Sequence, residues 1–305
     1  LVHWIRKTEV LLEKNPSFRR ELYPSAGDQE SRDRGLLKDA GRPLPLSDRI
    51  KIKIFGEMQP IYLSFLQGEL DYGTIPKEVV DKTFKDGQLR AEWRDKGIQI
   101  HPENRPDVVG VFINMENPIL GKNQKLRQAL AYALNKELIL DKFYNGRGVT
   151  AQSPIPPGLD AYRPDYRHPI SFDLQKAKEL MAEAGYPEGK GLPEFDYNLP
   201  GMAPWARQFG ELLKDQWSKI GVRLKIVPNT WPQFDKKIKN KKATFFDMAW
   251  SADYPDSENF LQLFYSKNIS PGSNSSNFVN REYDALYEQS LKLPPGEKRN
   301  QVFFK

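Results

Sequence analysis

The chain has 305 residues, of which 39% are hydrophobic and 28% charged, a balance typical of a folded globular protein rather than a disordered one. It contains no cysteine, which excludes disulfides, thiolate metal sites and thiol nucleophiles. A net charge of +6 allows some attraction to nucleic acid or anionic surfaces, and no apolar run is long enough to indicate a membrane span.

Both ends of the sequence have the character of interior segments. It starts with LVHWIRKTEV, which has neither an initiating methionine nor the apolar core of a signal peptide, and it stops at EKRNQVFFK inside an amphipathic pattern. We therefore expect a longer parent protein, incomplete here at both termini.

The first predicted unit of secondary structure runs strand, helix, strand. The alternating isoleucines of IKIKIF predict a strand at 50–55, and an apolar stripe predicts a helix at 60–70 before a second strand at 71–75. The segment 20–49 is charged and irregular, and it is too long for a simple connection.

Two strong helical patterns follow. Leucines four residues apart predict one helix over 123–144, and a second helix over 173–185 begins with an Asp N-cap and ends with Gly. Between them, the segment 148–169 is rich in Pro and Gly and lacks a period, which predicts an ordered surface loop.

Two further strand–helix–strand units share a central strand. The first has strands at 194–199 and 222–227 around a helix at 205–220. The second adds a crossover helix at 231–240 and ends in the strand TFFDMAW at 244–250. Strands that alternate with helices predict an α/β fold with a substantial parallel sheet.

The clearest candidate site is a group of carboxylates directly behind that last strand. Asp253, Asp256 and Glu258 follow it within eight residues, among aromatic side chains. The residues alone leave several interpretations open: an acid pair for glycoside hydrolysis, a carboxylate that binds a cationic group, or helix-capping side chains. A calcium loop is disfavoured, because Pro255 interrupts it and its ladder of oxygen ligands is absent.

Other chemical signatures are weak. No Walker loop or nucleophile elbow occurs, and the histidines (His3, His101 and His168) are far apart in sequence. We therefore predict no metal site. The lysine-rich run 236–242 favours a solvated helix face, with nucleic-acid binding as the minor interpretation.

The chain resembles the oligopeptide- and dipeptide-binding family of solute-binding proteins that serve ABC importers. The stretches that carry the likeness occur in the family's order: FLQGELDYGTIP (65–76), VGVFINMENPILGKNQKLRQALAYALNKELI (109–139), DLQKAKELMAEAGYPEG (173–189), and WSADYPDSENFLQLFYSKN (250–268) with EYDALYEQS (282–290). Single stretches are weakly specific, but four in register over most of the chain are specific.

The resemblance implies a periplasmic-binding-protein fold of type II, with two lobes of mixed sheets flanked by helices. Residues 1–110 would be the remaining part of the lobe that carries the parent chain's termini, and residues 111–305 most of the opposite large lobe. The implied function is capture of peptides or similar small solutes in an interlobe cleft, without enzymatic activity or a cofactor. The implied partner is an ABC permease in the inner membrane, and no nucleic-acid partner is implied. The protein would be a monomer, either periplasmic or lipid-anchored and extracellular.

The resemblance also assigns roles to individual residues. Asp253 would receive the ligand's α-ammonium group and Trp250 would line the cleft, while the main chain of Ser251 and Ala252 would hydrogen-bond the peptide. Trp231, and more weakly Trp205, would be pocket residues. Asp256 and Glu258 then fall to turn and N-cap roles.

One departure from the family concerns the ligand's other end. Some relatives carry an Arg shortly before the Trp to meet a ligand carboxylate, and FFDMAW has none. Lys237 or Lys239 would be the substitutes, although a solvated role is favoured for both. A glycoside hydrolase that uses Asp253 with Asp256 or Glu258 remains the alternative function.

Overall fold

The computed structural model describes residues 1–76, 79–85, 88–100, 105–144 and 147–305, so His101 lies outside the described residues. The chain divides into two compact units, Leu1–Gln99 and Ile100–Lys305. The assignment of residues 1–110 and 111–305 to opposite lobes stays a prediction. No helix among the described residues is both long and apolar enough to cross a bilayer.

The first unit is built on a three-stranded antiparallel sheet in the order β1-β2-β3. Its strands are β1 (His3–Ile5), β2 (Glu9–Glu13) and β3 (Arg49–Lys53), and a small second sheet pairs β4 (Phe84–Lys85) with β5 (Gln88–Leu89). Its helices are α1 (Gln29–Asp33), α2 (Met58–Leu66), α3 (Val80–Thr83) and α4 (Ala91–Arg94).

The strand predicted at 71–75 is wrong. The chain after α2 makes bends there, and Gly73 packs directly on the Phe65 ring, where a Cβ atom would lie 3.2 Å from Phe65 Cβ. The segment therefore folds back on its own helix. The predicted strand at 50–55 exists as β3, but it pairs antiparallel with β2 instead of joining a parallel unit.

The second unit contains a four-stranded mixed sheet in the order β6-β9-β7-β8. The strands are β6 (Asp107–Ile113), β7 (Phe195–Leu199), β8 (Leu224–Pro228) and β9 (Phe245–Ser251). Strand β7 runs parallel to both β8 and β9, while β6 is antiparallel to β9. Both predicted strand–helix–strand units of this part of the chain are thus confirmed.

Helices cover much of the sheet. They are α5 (Gln124–Tyr132), α6 (Lys136–Tyr144), α7 (Leu174–Glu183), α8 (Pro204–Ser218), α9 (Trp231–Lys239), α10 (Glu258–Leu261), α11 (Arg281–Ser290) and α12 (Glu297–Phe303). The largest core joins α5, α7 and α8 to the face of the sheet that carries Tyr197 and Phe245, which are fully buried. Helix α9 packs on the other face through Phe234 and Ile238.

The single helix predicted over 123–144 is wrong, because the chain breaks into α5 and α6. The Asn135 side chain accepts a hydrogen bond from the Leu138 N–H at 2.9 Å, which caps the start of α6. The Asn135 N–H in turn donates to Gln216 Oε1 on α8 at 2.6 Å. A side chain that satisfies backbone donors at a new helix start ends the preceding helix despite a continuous leucine pattern.

Replacement of this cap gives a modest expected effect. Asn135→Ala should lower the free energy of unfolding by about 1 kcal/mol, the usual cost of losing an Asn N-cap. Urea denaturation measures it, with Asn240→Ala, at the exposed end of α9, as the control. An unchanged midpoint for Asn135→Ala would contradict the capping role.

Candidate functional site

Trp250 and Ser251 lie at the end of β9, and three other predicted site residues lie after the ends of the parallel strands. Asp253 follows β9 by two residues, Trp205 lies in the first turn of α8 after β7, and Trp231 opens α9 after β8. Because the carboxyl ends of parallel strands meet at one edge of a sheet, all three belong to the same edge. Ligands of open α/β sheets usually bind outside this edge.

The two helix-start tryptophans project into solvent. Trp231 is 64% exposed and stacks on Phe234, with ring centroids 5.8 Å apart, and Trp205 is 50% exposed. Trp217, farther along α8, is buried and donates its indole N–H to the Leu130 carbonyl at 3.1 Å. Large exposed indoles at a strand-end edge are available to a ligand, whereas Trp217 belongs to the core.

A fully buried asparagine organises the segment after β9. Asn259 Oδ1 accepts the Trp250 indole N–H at 2.8 Å and the Asp253 backbone N–H at 3.1 Å. Asn259 Nδ2 donates to Asp253 Oδ2 at 3.5 Å. One side chain thereby fixes the half-buried Trp250 ring and the backbone at Asp253, and it also makes a long contact with the exposed Asp253 carboxylate.

The other two carboxylates have structural partners. Asp256 Oδ2 receives a 2.6 Å ion pair from the buried Arg299, and Asp256 Oδ1 accepts the Glu258 N–H at 2.9 Å. Asp256 therefore holds the turn, as predicted, but the N-cap residue of α10 is Ser257.

Glu258 is held by aromatic hydroxyls. It accepts the hydroxyls of Tyr254, at 2.6 Å, and of Tyr287. Burial and the Glu258 carboxylate together raise the pKa of Tyr287 well above its ordinary value. Asp256 and Glu258 are thus engaged within the fold and partly buried, whereas Asp253 is exposed.

The backbone beyond Trp250 has a free edge. The Ala252 N–H donates to the Pro106 carbonyl at 3.1 Å, so in this antiparallel pair the N–H and C=O groups of Ser251 and Ala249 point away from β6. Pairing of β9 with β7 is confined to Phe245 and Phe246. Among the described residues no strand therefore pairs with the outward edge of β9 at Ala249 or Ser251.

A second carboxyl group lies deeper on β9. Asp247 accepts the hydroxyl of the buried Tyr197, and burial raises the pKa of Asp247 to about 7. Burial and the Asp247 charge raise the pKa of Tyr144 as well. Asp247 is therefore a weak acid near neutral pH, and both tyrosines stay neutral there.

Two lysines of the lysine-rich run 236–242 bond to nearby side chains. Lys239 pairs with Asp235 at 2.8 Å, and Lys237 donates to Asn198 Oδ1 at 2.9 Å on the α9 side of the sheet. Neither is free to replace the missing arginine without breaking these bonds. Across the described parts of the chain, no three His, Asp or Glu side chains form a group that could hold a metal ion.

Sequence reasoning missed two residues of this region. Asn259 lies within the motif stretch 250–268, but nothing there marks its role, which depends on how the turn after β9 folds back onto Trp250. Asp247 was visible in FFDMAW, but only as part of a strand. Its partner Tyr197 is fifty residues away in sequence, and only the parallel pairing of β7 with β9 joins them.

Comparisons with known proteins agree with the fold. Residues 1–272 match the model of a family described as "Bacterial extracellular solute-binding proteins, family 5 Middle". Heme-binding protein A of Haemophilus influenzae is 32% identical over 261 residues, which are 84% of this chain and 45% of that protein. The dipeptide-binding protein of Escherichia coli is 32% identical over 183 residues, which are 59% of this chain and 34% of that protein.

A solved structure extends the similarity over nearly the whole chain. The dipeptide binding protein from a Pseudoalteromonas species, in complex with Met-Leu, has a TM-score of 0.75 at 25% identity, covering 99% of this chain and 54% of that one. The chain thus spans about half the length of these relatives or less. The predicted α/β fold of the type II periplasmic-binding-protein kind, with mixed sheets flanked by helices, is confirmed, and the chain belongs to the bacterial extracellular solute-binding proteins of family 5.

Proposed function

We propose that this chain is part of the solute-binding component of an ABC importer, and that it binds peptides or similar small solutes through a free amino group. The observation that carries the proposal is the exposed Asp253 carboxylate, which Asn259 holds in place after β9. Relatives named as dipeptide-binding proteins support the ligand class.

Asp253 supplies the charge for the ligand's ammonium group. An ammonium bound to a carboxylate forms charge-assisted hydrogen bonds, which are about twice as strong as neutral ones. The attraction between the ammonium and the carboxylate becomes stronger when a second lobe closes over them, because less solvent then screens the two charges. Asn259 already contacts one oxygen of the carboxylate, which reduces the side-chain freedom that Asp253 must lose when a ligand binds.

The free edge of β9 supplies backbone hydrogen bonds. The outward N–H and C=O groups of Ala249 and Ser251 can pair with an extended peptide, as in strand addition. This binding mode recognises the ligand's main chain, and the surrounding pocket contacts the ligand's side chains. The Ala252 N–H already bonds Pro106, so we assign Ala252 a contact role and give the backbone role to Ser251.

The exposed indoles of Trp231 and Trp205 and the half-buried indole of Trp250 provide apolar walls for the bound solute. In this proposal ligand contacts favour a closed form of the complete protein, a population shift without covalent chemistry. The closed form then docks on an inner-membrane permease, and the protein acts as a periplasmic or lipid-anchored monomer. The alternative of a glycoside hydrolase has no support, since Asp256 and Glu258 are engaged with Arg299 and tyrosines.

Substitution of Asp253 tests the proposal. Asp253→Ala in the complete native protein should weaken binding of small peptides by roughly 30-fold, or about 2 kcal/mol, because it removes the partner of a desolvated ammonium. Isothermal titration with a library of two- to five-residue peptides measures the change.

The matched control is Asp196→Ala, which removes an exposed carboxylate from β7. This control variant should bind the peptides with affinities within twofold of those of the wild type. Equal affinities of the wild type and Asp253→Ala for every bound peptide would contradict the assignment of Asp253. Failure of the wild type to bind any peptide in the library would overturn the proposed ligand class.

A further inference from the structure

Exposure changes steadily along one face of β9. Phe245 is fully buried, Asp247 is partly buried, and Ala249 and Ser251 are exposed. These residues share a face because they alternate along one strand. The helix layer over the sheet therefore ends at Asp247, and an open strip of sheet begins there.

The neighbouring strand continues this open strip. Directly opposite residues of an antiparallel pair share a face, so Val109 lies beside Ala249, and Val111 beside Asp247. Val109 is 47% exposed, whereas Val111 packs against the core. The strip thus runs from Asp247 at its inner end to Ser251 at its outer end, with Asp253 beyond.

Among the described residues, Asp247 has one side-chain hydrogen-bond partner, and it can accept further hydrogen bonds. The Tyr197 hydroxyl donates to Oδ1. Within the described parts of the chain no lysine or arginine pairs with this carboxyl group. An ionised carboxylate accepts about four hydrogen bonds, so the Tyr197 contact leaves most of this hydrogen-bonding capacity unused.

The chemistry of this inner end suits a donor. A partly buried carboxyl group without a cationic partner is costly to ionise, and an amine or guanidinium group beside it removes that cost. A ligand carboxylate at the same place would be repelled. This is consistent with the absence from FFDMAW of an arginine that would receive such a carboxylate.

We propose that Asp247 is a second ligand-binding group of this site and that it receives an amine or guanidinium group on the solute. The inference rests on the proposed function, since it needs a ligand anchored at Asp253. Four residues of strand separate Asp247 from Ser251, about 13 Å at the usual rise per residue. A basic side chain near the end of a short extended peptide covers this span.

The groups that face Asp247 set its pH behaviour. They are Tyr197 on β7 and Tyr144 on α6, whose pKa values are both raised, so neither carries charge near neutral pH. Asp247, with a pKa of about 7, is largely protonated at pH 6 and largely ionised at pH 8. A cationic group prefers the ionised form, so its advantage should grow about tenfold between these two pH values.

The experiment compares matched peptides by isothermal titration with the complete native protein. Alanine peptides of two to five residues with free N-termini carry either lysine or norleucine at the last position, which differ in charge but little in size. We expect the lysine form of at least one length to bind about tenfold more tightly at pH 8. The variant Asp247→Asn retains an acceptor for the Tyr197 hydroxyl. Its affinities for the lysine and norleucine peptides should lie within twofold of each other.

The control Asp196→Asn should keep the full lysine preference, and thermal unfolding confirms that each variant is folded. A wild type that binds these peptides without preferring lysine at any length, or a preference that survives in Asp247→Asn, would overturn this inference alone. A wild type that binds none of the peptides would overturn the proposed function and this inference with it.

Discussion

Asn259→Ala is expected to lower the free energy of unfolding by about 3 kcal/mol and to weaken peptide binding more than tenfold. The substitution removes the acceptor shared by the Trp250 indole N–H and the Asp253 backbone N–H. Donors left without partners near a buried side chain cost about 1–3 kcal/mol each. Urea denaturation and isothermal titration measure the two effects.

A specific pattern separates positioning from general loss of structure. If Asn259 acts by positioning Asp253, its loss should weaken the binding of peptides with a free N-terminus. The binding of the same peptides with an acetylated N-terminus should change far less. Asn240→Ala, which removes an exposed asparagine at the end of α9, is the matched control and should change neither quantity by more than about 0.5 kcal/mol. An equal loss of affinity for the free and the acetylated peptides would contradict the positioning role of Asn259.

Asp256→Ala should destabilise the fold by about 3 kcal/mol and leave ligand affinity unchanged. The side chain of Arg299 is 8% exposed, and its 2.6 Å ion pair with Asp256 neutralises it. Removal of one partner of a buried ion pair leaves an uncompensated charge, which commonly costs 3–5 kcal/mol, or about 3 kcal/mol here because Asp256 is partly open to solvent.

A double-mutant cycle tests this account of Asp256. Arg299→Met replaces the buried charge by an apolar side chain of similar length beside Phe303, which the guanidinium now covers. The double variant should recover much of the stability that Asp256→Ala alone loses. Additive losses, or a large loss of affinity in Asp256→Ala, would contradict the structural role and would reopen the acid-pair interpretation.

The part of the fold that could be predicted is the part with strong local patterns. Helices α7, α8 and α9 carry clear apolar stripes, and their alternation with β7, β8 and β9 correctly indicated a parallel sheet. The break between α5 and α6 was missed, because the leucine pattern runs through it while Asn135 caps a new helix. In segment 71–75, packing of Gly73 on Phe65 outweighed a weak strand pattern.

The candidate site was predictable in composition but not in geometry. The sequence placed Asp253 behind a strand, and a likeness to a family selected it from three carboxylates. The partners that separate these carboxylates come from distant parts of the chain: Arg299 for Asp256, and Tyr287 for Glu258. Contacts of this kind depend on tertiary packing, which no local pattern encodes.

In the proposed binding mode, Asp253 receives the free amino group of a peptide. Isothermal titration of one tightly bound peptide, with a free and with an acetylated N-terminus, against the wild type and Asp253→Asn tests this contact directly. We expect that acetylation costs the wild type about 2 kcal/mol of binding free energy and costs Asp253→Asn little, so that the two changes are strongly coupled. Equal losses on acetylation in both proteins would contradict it.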